Sequence, residues 1–243
     1  MSPSVSELNR YLRQIRELYG DALILERTGE KRVNHHGSAT GDLFEGDGEH
    51  SWEQAESLDE LYERIRTCRK CPLCETRTNF VFGTGSPHAG VVLIGEAPGA
   101  EEDLQGEPFV GRAGQLLNKI LGAIGFRRDE VYICNILKCR PPNNRDPLPS
   151  EVEKCEPYLH RQLDLIRPRI ILALGRIAAQ TLLRTTDSLT VLRAGRHSYR
   201  GIPLVVTYHP AALLRNPGWK RPTWEDVQRF RSLYDGLCAG DTV

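Results

Sequence analysis

The chain reads as an α/β protein, a three-layer αβα sandwich built on a central, mainly parallel sheet of four strands. Two observations carry that reading. Four short apolar runs rich in β-branched residues, VVLIG (91–95), VYICNIL (131–137), IILALG (170–175) and LVVTY (204–208), have the length and composition of strands. Helical patterns stand between them: AGQLLNKILGAIG, SEVEKCEPYLHRQLDLI and GRIAAQTLLRT. Strand and helix in alternation make βαβ units, and continuous apolar runs suit a sheet covered on both faces.

The elements follow in chain order. Val5, Leu8, Leu12, Ile15, Leu18 and Tyr19 recur at helical spacing, so residues 4–20 form an amphipathic helix within an N-terminal segment of residues 1–25. Residues 26–57 are rich in glycine and charge and poor in aliphatics, which predicts a flexible acidic linker. His35 and His36 within it read as solvated side chains. After Ser57, LDELYERIRTC opens a helix and with it the folded body, residues 58–243. The strand–helix alternation begins at residue 91, and WEDVQRFRSLYDGL closes it as a last helix. No internal repeat interrupts the pattern.

A chain of 243 residues is long enough to bury a core in one domain and leave an extension. Its 40% hydrophobic and 26% charged residues suit a soluble globular protein. No apolar run approaches the ~20 residues of a membrane span, and MSPSVSELNRYLRQIRELYG lacks the apolar stretch of a secretory signal. A cytoplasmic protein is therefore expected. There thiols stay reduced, so the seven cysteines point to metal binding or chemistry more than to disulfides. Net charge is zero but unevenly spread. Residues 1–67 hold 8 Lys+Arg against 14 Asp+Glu, a net of −6, and residues 68–243 hold 24 against 18, a net of +6. A mildly basic body behind an acidic extension is compatible with a polyanionic partner.

In open α/β sheets ligands bind beyond the carboxyl ends of the strands, and here those ends carry unusual residues. VVLIG runs into EAPGAEED, Asn135 interrupts the second strand, and LVVTY runs into His209 and Pro210. GEAPG (95–99) makes a tight turn with exposed backbone N–H groups. With neither GxGxxG nor GxxxxGK[ST] present, dinucleotide and P-loop readings lose support. Glu96 sits where the chain leaves the sheet. Glu101, Glu102 and Asp103 form an acidic run expected as a solvated loop from which one carboxylate orients water. Gly111 and Gly114 flank Arg112 just before a helical pattern, a setting that suits an anionic oxygen. Phe109, in a loop rich in proline and glycine, either folds back on the core or stacks on a flat ligand. Asn135, an amide in a buried strand, needs a backbone partner or the polar edge of a ligand. In HPAALLRNP (209–217), Leu214 beside Arg215 and Asn216 reads as a wedge next to phosphate contacts, or as a short helix with a solvated arginine.

The cysteines pose a separate question. CRKCPLC (68–74) brings Cys68 and Cys71 together, while Cys139 and Cys155 lie about seventy residues downstream on either side of RPPNNRDPLPSE. Four thiolates satisfy a structural zinc or an iron–sulfur cluster. The spacing C-x2-C…C-x15-C matches neither the paired knuckles of a zinc ribbon nor the ferredoxin patterns, so spacing leaves both open. Cys134 reads as a small buried apolar residue, Cys74 lies beside the first pair, and Cys238 has no assigned role.

Together these segments resemble the iron–sulfur (family 4) uracil-DNA glycosylases. The resemblance rests on CRKCPLC, GEAPGAEED, GEPFVGRAGQLL, VYICNILKCRPPNNRDP with Cys155 after it, LALG, and HPAALLRNP, in collinear order from about residue 60 to 235. It implies a 4Fe–4S cluster on Cys68, Cys71, Cys139 and Cys155, with zinc as the alternative, clipping the pair before the first strand to the proline-rich loop after the second. Prolines deny that loop regular structure, so the metal would order it and let Arg140 and Arg145 face DNA. The resemblance further implies that uracil-containing DNA, single- or double-stranded, is the substrate. The base would be flipped into a pocket with Gly95 and Ala97 in its wall. Phe109 would stack on the uracil, Asn135 would read its Watson–Crick edge, and His209 would donate to O2 as the uracil anion departs. Glu96, or else Asp103, would orient water toward C1′. Leu214 would fill the gap in the duplex, and Arg112 and Arg215 would hold phosphates. The products would be free uracil and an abasic site. With no lysine in an obvious Schiff-base position, no strand nicking is expected. A monomer is expected, with the acidic extension available to a protein partner.

Two rival readings are kept in view. A metal- or cluster-bearing nucleic-acid-binding module without catalysis would bind tightly and release no base. Relatives that trap uracil covalently use a histidine in a loop after the second strand, and KCRPPNNRDP contains none.

Overall fold

The apolar runs are strands, and the sheet they form is larger than the four expected. In the computed structural model, which describes residues 52–240, the sheet comprises β1 (Thr84–Gly85), β2 (Val91–Gly95), β3 (Tyr132–Asn135), β4 (Ile170–Leu174), β5 (His197–Tyr199) and β6 (Ile202–Thr207). The order across the sheet is β1-β3-β2-β4-β6-β5. The four expected strands form its parallel centre, and β2, β3 and β4 are buried along their whole length. The two additional strands are short antiparallel edges, β1 on β3 and β5 on β6. Two or three residues with mixed polarity give no periodicity to recognise, so these edges exist through their neighbours rather than through their own sequence.

Helices cover both faces: α1 (Leu58–Ile65), α2 (Leu73–Thr76), α3 (Ala100–Gln105), α4 (Arg112–Ala123), α5 (Pro149–Ile166), α6 (Arg176–Leu183), α7 (Leu189–Ala194), α8 (Pro210–Arg215) and α9 (Lys220–Ala239). Ser57 starts α1 as a cap, its hydroxyl accepting from Glu60 N at 3.1 Å. Alternation along the strands divides the core in two. Val92, Ile94, Cys134, Ile171, Ala173 and Val206 pack against α1, α5 and α6. Val91, Leu93, Ile133, Leu172 and Val205 pack against α4 and α9. These are the outer layers of the sandwich.

The acidic run expected as a loop is α3. Gly99 caps its start and Gly106, at φ 75°, ends it in the left-handed conformation. The helix expected within residues 1–25, and the linker as far as residue 51, lie outside the described residues. The end of the expected linker, residues 52–57, packs on the body: Trp52 meets Tyr158 edge-on at 4.8 Å and Ala55 is fully buried. None of the described helices is long and apolar enough to cross a membrane.

Candidate active site and cysteine-lined cavity

The parallel strands β2, β3 and β6 end at one rim and deliver Gly95, Asn135 and, just beyond Thr207, His209 to a cavity of about 370 Å³. Glu96, Ala97, Phe109, Asn135, His209 and Arg215 line it. Asn135 is 2% exposed, and its Oδ1 is buried with no hydrogen-bond partner among the described residues. A lone buried acceptor is costly unless water or a ligand supplies the donor.

Space in front of that amide depends on Gly95. A Cβ there would collide with Asn135 Oδ1 and come within 2.8 Å of the Phe109 ring. Phe109 itself adopts φ 54°, an unfavourable conformation for a bulky residue. Its loop is held by Glu102, whose Oε1 accepts from Val110 N at 3.0 Å and Gly111 N at 3.1 Å. Gly114 lets the turn close, because a Cβ there would overlap the Phe109 carbonyl. The Phe109 and His209 rings then face each other at 5.4 Å, tilted by 30°.

His209 Nδ1 accepts from Ala211 N at 3.1 Å, which places the ring proton on Nε2. Burial, assisted by the positive charge of Arg215, pushes the imidazole pKa down to about 4. The ring is therefore neutral and a donor through Nε2 at neutral pH. Glu96 goes the other way. Burial, with repulsion from Asp146, raises its carboxyl to about 7, and Arg176 opposes the rise.

Other expected residues fall elsewhere. Asp103 is buried off the cavity, its Oδ1 accepting from Thr78 N at 2.9 Å and Asn79 N at 3.4 Å; it holds a turn and does not reach water at the site. Arg112 is exposed at the start of α4, outside the cavity lining. Arg140 donates to Asn144 Oδ1 at 2.8 Å. Arg145 lines the cavity, but its guanidinium is held by both oxygens of Glu151, at 2.9 and 2.6 Å. It braces the proline-rich loop instead of standing free for DNA. Leu214 is 40% exposed at the end of α8. Sequence reasoning missed Glu102, grouped with a solvated run, and Lys138. The latter was signalled by a charge inside an apolar stretch. Fully buried, its Nζ donates to Asn135 O at 2.8 Å and Gln162 Oε1 at 2.6 Å.

Beyond the end of β3, Cys68, Cys71, Cys139 and Cys155 line a second cavity, joined by Cys74. Each of the four sulfurs receives a donor. Cys68 Sγ takes the Tyr158 hydroxyl at 3.3 Å and Lys70 N at 3.5 Å. Arg77 Nη1 donates to Cys139 Sγ at 3.1 Å and Lys138 N to Cys155 Sγ at 3.3 Å, while the Leu73 backbone serves Cys71. Burial pushes the Cys139 thiol up to about 11 and Cys155 to about 12, so thiolates here need a cationic centre. An all-sulfur donor set ringed by N–H and O–H groups fits a 4Fe–4S cluster. Among the described residues no group of three or more His, Cys, Asp or Glu side chains is gathered closely enough to hold a metal ion.

Comparison with known proteins places these features. Residues 82–228 match the family model described as the uracil DNA glycosylase superfamily. The Type-4 uracil-DNA glycosylase of Archaeoglobus fulgidus is 48% identical over 186 residues, 73% of this chain and 94% of the relative. That of Pyrobaculum aerophilum is 46% identical over 181 residues, 71% and 92% of the two chains. A Type-5 uracil-DNA glycosylase from the same organism is 30% identical over 195 residues, 66% of this chain and 85% of its own. On that match and these identities, the chain belongs to the uracil DNA glycosylase superfamily.

Proposed function

We propose that this chain removes uracil from DNA by hydrolysing its N-glycosidic bond, leaving free uracil and an abasic site for repair. The observation that carries the reading is the unpartnered, buried Asn135 Oδ1 in a cavity walled by Phe109 and His209. Uracil presents an N3–H donor beside an O4 acceptor; the amide accepts the first and donates to the second. Cytosine has the reverse pattern and would leave buried groups mispaired. Because a base in a duplex is inaccessible, the nucleotide enters flipped, with its ring against Phe109.

As the C1′–N1 bond breaks, its electron pair leaves with the base and charge gathers on O2. His209 Nε2–H stands as a donor to that oxygen. A neutral imidazole suffices, because a fixed donor where charge develops needs no proton transfer. Glu96, as a carboxylate, orients water toward C1′; the hydroxyl joins the sugar and the remaining proton ends on the departing base. Arg215 at the cavity edge and Leu214 beyond it hold the strand and fill the vacated stack. Cys68, Cys71, Cys139 and Cys155 would hold a 4Fe–4S cluster. When bound, it supplies a structural cross-link and no part of the hydrolysis.

An end-labelled oligonucleotide with one uracil, treated with the enzyme and then with hot alkali, tests the reading. Cleavage at the uracil only after alkali is expected, and His209→Ala should slow it by about 10²- to 10³-fold. No cleavage by a preparation that retains its iron would replace the glycosylase with a DNA-binding module.

A further inference from the structure

Past Leu214 and Arg215 the mouth of the base cavity continues into a surface without a role in that chemistry. From Ser188 to Trp224 the sequence contains no aspartate or glutamate, yet carries Arg193, Arg196, Arg200, Arg215, Lys220 and Arg221; of these, Arg193, Arg200 and Arg221 pair with Asp226, Asp164 and Glu225 from outside the stretch. Within this stretch Leu214 to Arg221, LRNPGWKR, is exposed without interruption. It begins in the last turn of α8, whose Arg215 lines the cavity.

Trp219 stands in this strip, 38% exposed, although its indole is not loose. It lies flat on Tyr208, with ring centroids 4.9 Å apart and planes 15° from parallel. The Arg193 guanidinium sits 4.5 Å from the centroid of the Tyr208 ring. Asp226 fixes that guanidinium in turn, at 2.6 and 3.1 Å. The backbone is anchored as well. Gly218 N donates to Asn216 Oδ1 at 3.2 Å, and the Thr223 hydroxyl donates to the Trp219 carbonyl at 2.8 Å. Tyr208 immediately precedes His209, so the stack is built on the segment that carries the proposed oxyanion donor. A rigid, solvent-facing aromatic flanked by the exposed Arg215 and Lys220 is how proteins hold unpaired nucleotides: the ring takes a base and the cations take phosphates.

We propose that Trp219, backed by Tyr208, is a stacking platform for an unpaired DNA base neighbouring the uracil, with Arg215 and Lys220 on the adjoining phosphates. This rests on the reading of the cavity as the uracil site. A duplex neighbour is already stacked on its own strand and gains less from the platform, so the enzyme holds single-stranded uracil-DNA more tightly than the same uracil in a duplex.

The test compares wild type, Trp219→Ala and Trp219→Phe on one uracil oligonucleotide, single-stranded and annealed. Anisotropy binding of a uracil-free single strand is measured in parallel. Trp219→Ala is expected to raise KM on the single strand about tenfold, with kcat kept and the duplex KM changed by less than about twofold. Trp219→Phe recovers most of the loss, and binding of the uracil-free strand weakens in step with KM. An equal change on both substrates would overturn the proposal. So would a fall in kcat on both that phenylalanine does not rescue, which would make Trp219 a support for His209. Should excision fail altogether while uracil-free binding still depends on Trp219, the platform stands and the uracil reading falls. Intact excision with binding indifferent to Trp219 gives the reverse.

Discussion

In the cysteine-lined cavity every sulfur of Cys68, Cys71, Cys139 and Cys155 already has an N–H or O–H aimed at it, whereas in the rim cavity the Asn135 Oδ1 has none. The two sites are separated in sequence only by the step from Asn135 to Cys139, and Lys138 touches both. Its backbone N–H serves Cys155 and its ammonium serves the Asn135 carbonyl. The contrast distinguishes permanence from exchange. Donors that surround sulfur stabilise a charge that stays in place. An acceptor without a protein donor is left for whatever enters the cavity, water or ligand, to satisfy.

If the first cavity is permanent, emptying it should cost the most. Cys139→Ala is expected to lose iron on purification, free the proline-rich loop, and abolish both excision and DNA binding. Iron analysis, circular dichroism and the oligonucleotide assay follow the three effects. Full activity without iron would erase the distinction. Next in size, Asn135→Ala should cut kcat/KM for uracil by about 10³-fold while iron content and thermal midpoint hold, because the amide oxygen has no partner among the described residues to lose. Loss of iron or fold alongside activity would show that the amide is structural.

The smallest effect is in pH. The proposed water-orienting duty needs Glu96 as a carboxylate, and burial raises its pKa to about 7. Below that value the group is protonated and inactive, so single-turnover excision should climb as pH rises through about 7. His209, held at about 4, remains neutral across this range and adds no second limb. Glu96→Gln should flatten the profile as well as lower it. An unchanged profile would pass the water-orienting duty to another group.

The parallel centre of the sheet was legible because its strands are continuous apolar runs, and the rim followed because sites gather at strand ends. Gly95, Asn135, Phe109 and His209 meet as the motifs suggested. What sequence could not show was direction. Asp103 and Glu102 are neighbours on α3, and only the turn of the helix sends the first to the Thr78–Asn79 backbone and the second to the Phe109 loop. Arg145 looked like a free cation until Glu151, buried at the start of α5, was placed opposite it. Lys138 was hidden for the opposite reason. A lysine in an apolar run reads as an interruption until its two acceptors are in view.

Gly95 carries one more consequence. Its φ is not among the positive values, so the backbone would admit a side chain there. Space alone forbids it, since a Cβ would press on both the Asn135 amide and the Phe109 ring. An alanine at this position would therefore put a methyl group against the amide that the proposed reading reserves for the base. It would be a permanent occupant of its own pocket, one that no concentration of DNA displaces.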